Sequence, residues 1–228
     1  MFKKFALASA LAGFATAGIA ASVTIDTYSS ALYDGYVSGL TSSVVEDFEG
    51  MTVESAEMGE VSSAVGTFDT VMGGGSGSSV VGSGMDLTVR TQGTNGFGRT
   101  NTTAGGEFYL DSNDTQGIAF SASTGQMFDQ VAFTLSDAAD TGGILEVLVN
   151  DAVVATLSDL ANANVFFVVI DLETAVASAD IVLRNTERLN DGFAIDDVVV
   201  GLAAIPLPAS GLLLIGALGA FAWRRRRD

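Results

Sequence analysis

Gln130-Val131-Ala132-Phe133-Thr134-Leu135 decides the fold. Its large apolar residues recur with period two, so Val131, Phe133 and Leu135 face one way and Gln130, Ala132 and Thr134 the other, as in a half-buried β-strand. On either side of it short strands follow one another. Downstream, residues 137–143 supply a turn, and residues 144–149 and 153–157 flank Asn150-Asp151, a hairpin-turn dipeptide. Val165-Phe166-Phe167-Val168-Val169-Ile170 is apolar at every position, which suits a strand central in its sheet. Residues 180–184 and, past the turn Asn190-Asp191-Gly192, residues 193–200 complete this side. Upstream, residues 22–25, 44–50, 61–68, 85–90, 107–110 and 118–121 read as strands between Gly/Asp/Asn-rich turns, with a flexible glycine-serine loop over 73–79. Residues 31–39 are ambiguous, and alanine-rich 158–164 and 173–178 leave room for short helices. About ten short strands at this spacing predict an all-β chain, an antiparallel, jelly-roll-like β-sandwich.

The two extremities follow different rules. Lys3 and Lys4 precede an apolar run over 5–19, and Gly18-Ile19-Ala20 offers the small residues of a signal-peptidase site. Residues 1–20 are thus expected to be a signal peptide cut after Ala20, the alternative being an N-terminal membrane anchor. At the other end stand Ile205, Pro206, Leu207, Pro208, Ala209 and Ser210, then the apolar stretch 211–223, then Arg224, Arg225, Arg226 and Arg227 before Asp228. The prolines lack backbone donors and push Ile205 and Leu207 out of the α region, which leaves 205–210 extended and accessible to an enzyme's cleft. Residues 211–223 are expected to form a short transmembrane helix, and the arginines its basic cytoplasmic stop. Thirteen residues are fewer than the ~20 of a full span.

This order of parts resembles the PEP-CTERM type of bacterial sorting signal, in its VPLPA-CTERM variant with Ile205 in place of valine. The resemblance covers residues 205–227. It implies recognition by an exosortase, a membrane transpeptidase, and removal of the tail as the protein reaches the cell surface or its polysaccharide matrix. An anchor that is never processed is the alternative. Three body segments, Glu107-Phe108-Tyr109-Leu110, residues 128–137 and Phe193-Ala194-Ile195-Asp196-Asp197, resemble the jelly-roll ectodomains found ahead of such signals.

The body between the two labels, residues 21–204, has the length of one domain and enough chain for a sizeable core. It contains no cysteine and no histidine. Of the ten basic residues only Arg90, Arg99, Arg184 and Arg188 lie in it, whereas 26 of the 27 acids do, so 4 bases face 26 acids and its formal net charge is −22. Such a surface repels phosphates, and nucleic acid is excluded as a partner. Solubility in a salty habitat and binding of divalent cations both account for the acidity.

Asp196-Asp197 is the sharpest candidate site. Strict alternation puts Phe193, Ile195, Asp197 and Val199 on one face and Ala194, Asp196, Val198 and Val200 on the other, which buries one carboxylate among apolar residues. A calcium ion, ligated also by Asp47 or Glu49 from an early strand lying beside the last one, would offset that cost with hard oxygen donors. The alternative is a bulge that turns both aspartates into solvent. The stretch 111–117 looks like an EF-hand loop whose glycine falls one place late, and Asn101-Thr102-Thr103 and Asn113-Asp114-Thr115 match glycosylation acceptors.

Nucleophile–imidazole and thiolate catalysis are excluded by composition. Only a carboxylate pair such as Glu107 and Glu146 would remain for a carbohydrate hydrolase or lyase. The lone tryptophan, Trp223, lies in the tail, so any sugar stacking falls to Tyr28, Tyr33, Tyr36, Tyr109 or exposed phenylalanines. The expectation is an exported surface or matrix protein with a structural, adhesive or polysaccharide-associated domain. Its partners would be signal peptidase, an exosortase-type transpeptidase, the inner membrane in transit and extracellular polysaccharide.

Overall fold

A computed structural model of the protein describes residues 21–51, 60–74, 86–91, 98–113, 115–140, 142–189 and 191–204. The expected signal peptide, the motif 205–210, the apolar stretch 211–223 and the arginines 224–227 lie outside the described residues. Among the described residues no helix is long and apolar enough to cross a membrane.

The chain forms β1 (Ser22–Thr27), α1 (Ser30–Gly39), β2 (Leu40–Glu46), β3 (Val61–Ser63), β4 (Gly66–Gly74), β5 (Thr88–Thr91), β6 (Phe108–Asp111) and β7 (Thr115–Ala122). There follow β8 (Phe128–Ser136), β9 (Ile144–Val149), β10 (Ala152–Ser158), β11 (Val165–Val176), β12 (Ala179–Glu187) and β13 (Ala194–Ala203). These strands make two antiparallel sheets. One runs β1-β11-β8-β13-β6-β5, with β2 also paired to β13, and the other runs β10-β9-β12-β7-β4-β3. From β6 onward the chain crosses between the sheets at each step except the β9–β10 hairpin, which is the winding of a jelly roll. In that hairpin Asn150 (φ 47) and Asp151 (φ 67) are both left-handed, as a two-residue turn matched to strand twist requires.

One core fills the space between the sheets. Val131, Phe133 and Leu135 of β8 point into it, with Val168 and Ile170 of β11, Ile181 and Leu183 of β12, and the stacked pair Phe68–Phe120, whose ring centroids are 4.4 Å apart. The other face of the larger sheet is covered as well. Ser29 caps α1 by accepting from the Leu32 amide at 3.2 Å, and Tyr33 and Tyr36 of the helix meet Phe167 edge-on at 5.8 and 5.3 Å. Ala132, Phe167 and Val199 form a second small cluster under the helix. The run 165–170 is therefore apolar on both faces because one faces the sandwich core and the other a helix.

Residues 31–39, ambiguous in the sequence, belong to helix α1. Two expectations are corrected. Residues 61–68 are a hairpin of β3 and β4, turned at Gly66, where a Cβ would lie 2.1 Å from the Ser121 carbonyl oxygen on β7. Neither alanine-rich stretch is helical. Residues 173–176 extend β11, which rejoins β8 at Val176 opposite Phe128 after an irregularity where Glu173 takes φ 57, and Asp159 (φ 53) and Ala163 (φ 57) take left-handed conformations that a right-handed helix does not contain.

Candidate functional site

Asp196 and Asp197 lie where β13 departs from regular alternation. Opposite them β8 advances two residues, Thr134 to Ala132, while β13 advances three, Asp196 to Val199, and Asp197 takes φ 49. This is a β-bulge. It resets the phase, so Phe193, Ile195, Val198 and Val200 all enter the core, and the strict alternation expected from the sequence is corrected. The bulge was foreseen as a route to solvent, yet both aspartates are covered, at 1% and 4% exposure.

Their cover is the segment 98–107 that leads into β6. The Thr102 amide donates to Asp196 Oδ2 at 2.7 Å and the Thr103 amide to the same atom at 3.3 Å. The Thr103 hydroxyl donates to Asp197 Oδ1 at 2.7 Å. Thr102 Oγ1 lies 3.1 Å from Asp196 Oδ2 and 2.8 Å from Asp197 Oδ2. Thr134 Oγ1 is 2.7 Å from the same hydroxyl and bonds the Asp196 carbonyl oxygen at 3.0 Å. A hydroxyl has a single proton, so Thr102 can satisfy only one of the two carboxylates at a time. Tyr28 closes the lid by donating its hydroxyl to the Thr102 carbonyl at 3.0 Å.

The early strand arrives beside the pair as expected. β2 pairs with β13, placing Glu46 opposite Val198, and Asp47 and Glu49 follow around Phe48, a fully buried residue at φ 57. The two acids are close enough to raise Asp197's affinity for a proton, but their side chains have other contacts. Asp47 Oδ1 accepts from the Glu49 amide at 3.1 Å. Glu49 Oε1 takes Asn101 Nδ2 at 3.0 Å and the amides of Glu107 and Phe108 at 2.7 and 2.8 Å. A Cβ at Gly106 would stand 2.3 Å from that oxygen, so glycine is needed there. Glu49 thus staples the same segment that roofs the aspartates. Among the described residues no three acidic, histidine or cysteine side chains form a ready metal-ligand group.

Electrostatics single out Asp196. Burial first, and then the Asp197 carboxylate, push it up to about 8 against the opposing hydrogen bonds from Thr102 and the Asp197 amide. Asp197 is raised too, chiefly by burial, with the Thr103 and Thr102 hydroxyls opposing and Asp47 and Glu49 adding to the shift. The tyrosines feel the same field: burial and then Asp197 and Asp196 raise Tyr28 and Tyr33.

The remaining sequence candidates are placed elsewhere. Asp111 of the EF-hand-like stretch ends β6 and is held by arginines, with Arg90 Nε at 2.7 Å and Arg99 Nη1 at 2.9 Å. Glu107 precedes β6 in one sheet, while Glu146 lies on β9 in the other, paired with Arg184 at 2.7 Å. Tyr109 is fully buried and offers no sugar platform. Thr102, Thr103 and Asn101 were visible in the sequence only as a glycosylation tripeptide. Asn101's amide is committed to Glu49 and to the Phe108 carbonyl at 2.6 Å.

No protein-family model matches the sequence, and no similar sequence was found among curated proteins. Among solved structures, the chain is similar to the K2 cleaved adhesin domain of Lys-gingipain, at 11% identity and TM-score 0.43, over 71% of this chain and 100% of that one. It is also similar to a GH26-CBM35 β-(1,4)-mannanase of Podospora anserina, at 14% identity and TM-score 0.35, over 73% of this chain and 29% of that one.

Proposed function

We propose that this protein is a structural or adhesive component of the bacterial cell surface or its polysaccharide matrix. It leaves the cell behind a cleaved leader and is delivered by an exosortase-type transpeptidase through Ile205–Ser210, 211–223 and the arginine block. Outside, calcium consolidates its sandwich at Asp196 and Asp197.

The observation that carries the reading is the pair itself: two neighbouring carboxylates at 1% and 4% exposure, in a body with 26 acids and 4 bases. Burying like charges is unfavourable unless a proton or a cation answers them. The donors at hand are carboxylate, hydroxyl and carbonyl oxygens, which suit calcium. Extracellular modules bind that ion at about 10⁻⁴ to 10⁻³ M, concentrations met outside cells. Asp196 and Asp197 would hold the ion, with Thr102 and Thr103 oxygens beside them and Asp47 within electrostatic reach. The ion would fix the segment 98–107 onto β13 and supply charge balance.

Two measurements test this. Intact mass of the surface-located protein is expected to show loss of residues 1–20 and of the tail beyond the proline motif. Retention of Trp223 and the arginines there would refute delivery by transpeptidation. Melting of the protein in chelator and in millimolar calcium is expected to differ by several degrees, and identical curves would refute the calcium role.

A further inference from the structure

A second group of oxygen acceptors lies at the end of the core where β8, β12 and β13 meet. Asn185 of β12 is wholly buried, and its Nδ2 donates to the Asp191 carbonyl oxygen at 2.6 Å. Among the described residues no donor reaches its buried Oδ1 or the buried Oδ2 of Asp191. The Asp140 carboxyl lies within hydrogen-bonding reach of the Asp191 carboxyl. A Cβ built on Gly143 would sit 2.5 Å from Asp191 Oδ2 and 3.0 Å from the Asp140 carbonyl oxygen, so these two acceptors crowd the same spot and only glycine leaves room. The backbone holds this arrangement: the Gly143 amide donates to Asp140 at 2.7 Å, the Asp191 amide to Arg188 at 2.8 Å, and the Leu160 amide to Ala139 at 2.9 Å.

Arg99 lies near enough to act on Asp191, but it is paired with other carboxylates. Asp137 Oδ1 accepts from the Ala163 amide at 2.9 Å and its Oδ2 stands 4.0 Å from Arg99 Nε, while Arg99 Nη1 bridges both oxygens of Asp111 at 2.9 Å. Protonating one carboxyl would satisfy one acceptor and leave the Asn185 oxygen bare. A buried water would bring two protons but no charge to set against two carboxylates. A hard cation answers all the acceptors at once, and calcium tolerates this mixture of carboxylate, amide and carbonyl oxygens in irregular geometry.

We propose that Asp140, Asp191 and Asn185 form a second calcium site, separate from Asp196–Asp197, which ties the β8–β9 connection to the β12–β13 connection and plugs this end of the core. Only two of its ligands are acidic, so the site does not depend on a group of three carboxylates. Along the chain Phe193 and Ile195, both in the core, separate Asp191 from the bulge.

Equilibrium dialysis of the full chain against calcium tests the proposal. Two ions per chain are expected, falling to one in Asp191→Asn, to one in Asp140→Asn, a change at a partly buried position, and to one in Asp197→Asn. Excitation spectra of europium bound to the unaltered chain are expected to show two environments, a readout that does not depend on any variant folding. A single environment, with one ion kept by both Asp191→Asn and Asp140→Asn and lost by Asp197→Asn, would overturn the second site and leave the first. One ion lost by Asp191→Asn and kept by Asp197→Asn would do the reverse, and no bound ion would overturn both.

Discussion

Asp111 and Asp196 are buried carboxylates in the same sheet, on strands β6 and β13 that pair through Ala194 and Asp111, and they are compensated in opposite ways. Asp111 receives two guanidiniums, Arg90 Nε at 2.7 Å and Arg99 Nη1 at 2.9 Å. Asp196 receives threonine and backbone donors and a second carboxylate at its side. A body with four bases that commits two of them to one aspartate has none beside Asp196 and Asp197 among the described ion pairs. The difference sets a region balanced by the chain's own bases beside one whose balance is proposed to come from outside the chain.

The largest expected effect exploits pH. Asp196 has its folded pKa raised from the ordinary 3.8 to about 8. The folded state therefore binds the extra proton, and this contribution to stability is complete below the unfolded value and lost as pH rises through the folded one. In chelator, urea denaturation is expected to lose about 4 kcal/mol between pH 5 and pH 8, at roughly 1.36 kcal/mol per unit. A chelated protein equally stable at both values would erase the contrast between the two aspartates. Next in size is the region solved internally. Asp111→Ala strands two guanidiniums with little access to solvent and is expected to cost about 3–5 kcal/mol in the same assay, with calcium present or absent. A loss that calcium repairs would show that the Asp111 region also leans on the medium. Calcium itself, at a hundred times its dissociation constant, is expected to add about 2.7 kcal/mol at pH 8, and a smaller increment at pH 5, where a proton already occupies Asp196.

The strand pattern made much of this architecture legible. Val131, Phe133 and Leu135 enter the core as their alternation implies, and Asn150-Asp151 turns a hairpin because both residues tolerate left-handed φ. Asp196 and Asp197 stood out as adjacent acids in an apolar strand, and the pairing of β2 with β13 brought Asp47 and Glu49 near them. Three things were not legible. A bulge at the aspartate pair was open in the sequence, but that it leaves both carboxylates covered was not, since the cover comes from another part of the chain. The roof over the aspartates comes from residues 98–107, almost a hundred positions away, through backbone amides and hydroxyls that composition does not rank. Helix α1 hides because its aromatic residues, Tyr33 and Tyr36, suit a strand as well as a helix until Phe167 lies beneath them.

The smallest expected effect is the most discriminating because it changes sign. Asp197 is bound at both oxygens by hydroxyls, Thr103 at 2.7 Å and Thr102 at 2.8 Å, and hydroxyls rotate to accept from an amide as readily as they donate to a carboxylate. Asp197→Asn therefore keeps the contacts while removing one of two facing charges. Without calcium the variant is expected to be more stable than the parent, because the Asp197 carboxylate that raises Asp196 is gone. With calcium the order is expected to invert, since the variant has given up an anionic ligand. An equivalent neutral exchange at Asp111 has no such crossing, because its counter-charges are part of the chain and remain whatever the buffer contains. Parallel calcium titrations of the two variants, read as melting temperatures, would show whether the two buried aspartates differ in kind or only in degree.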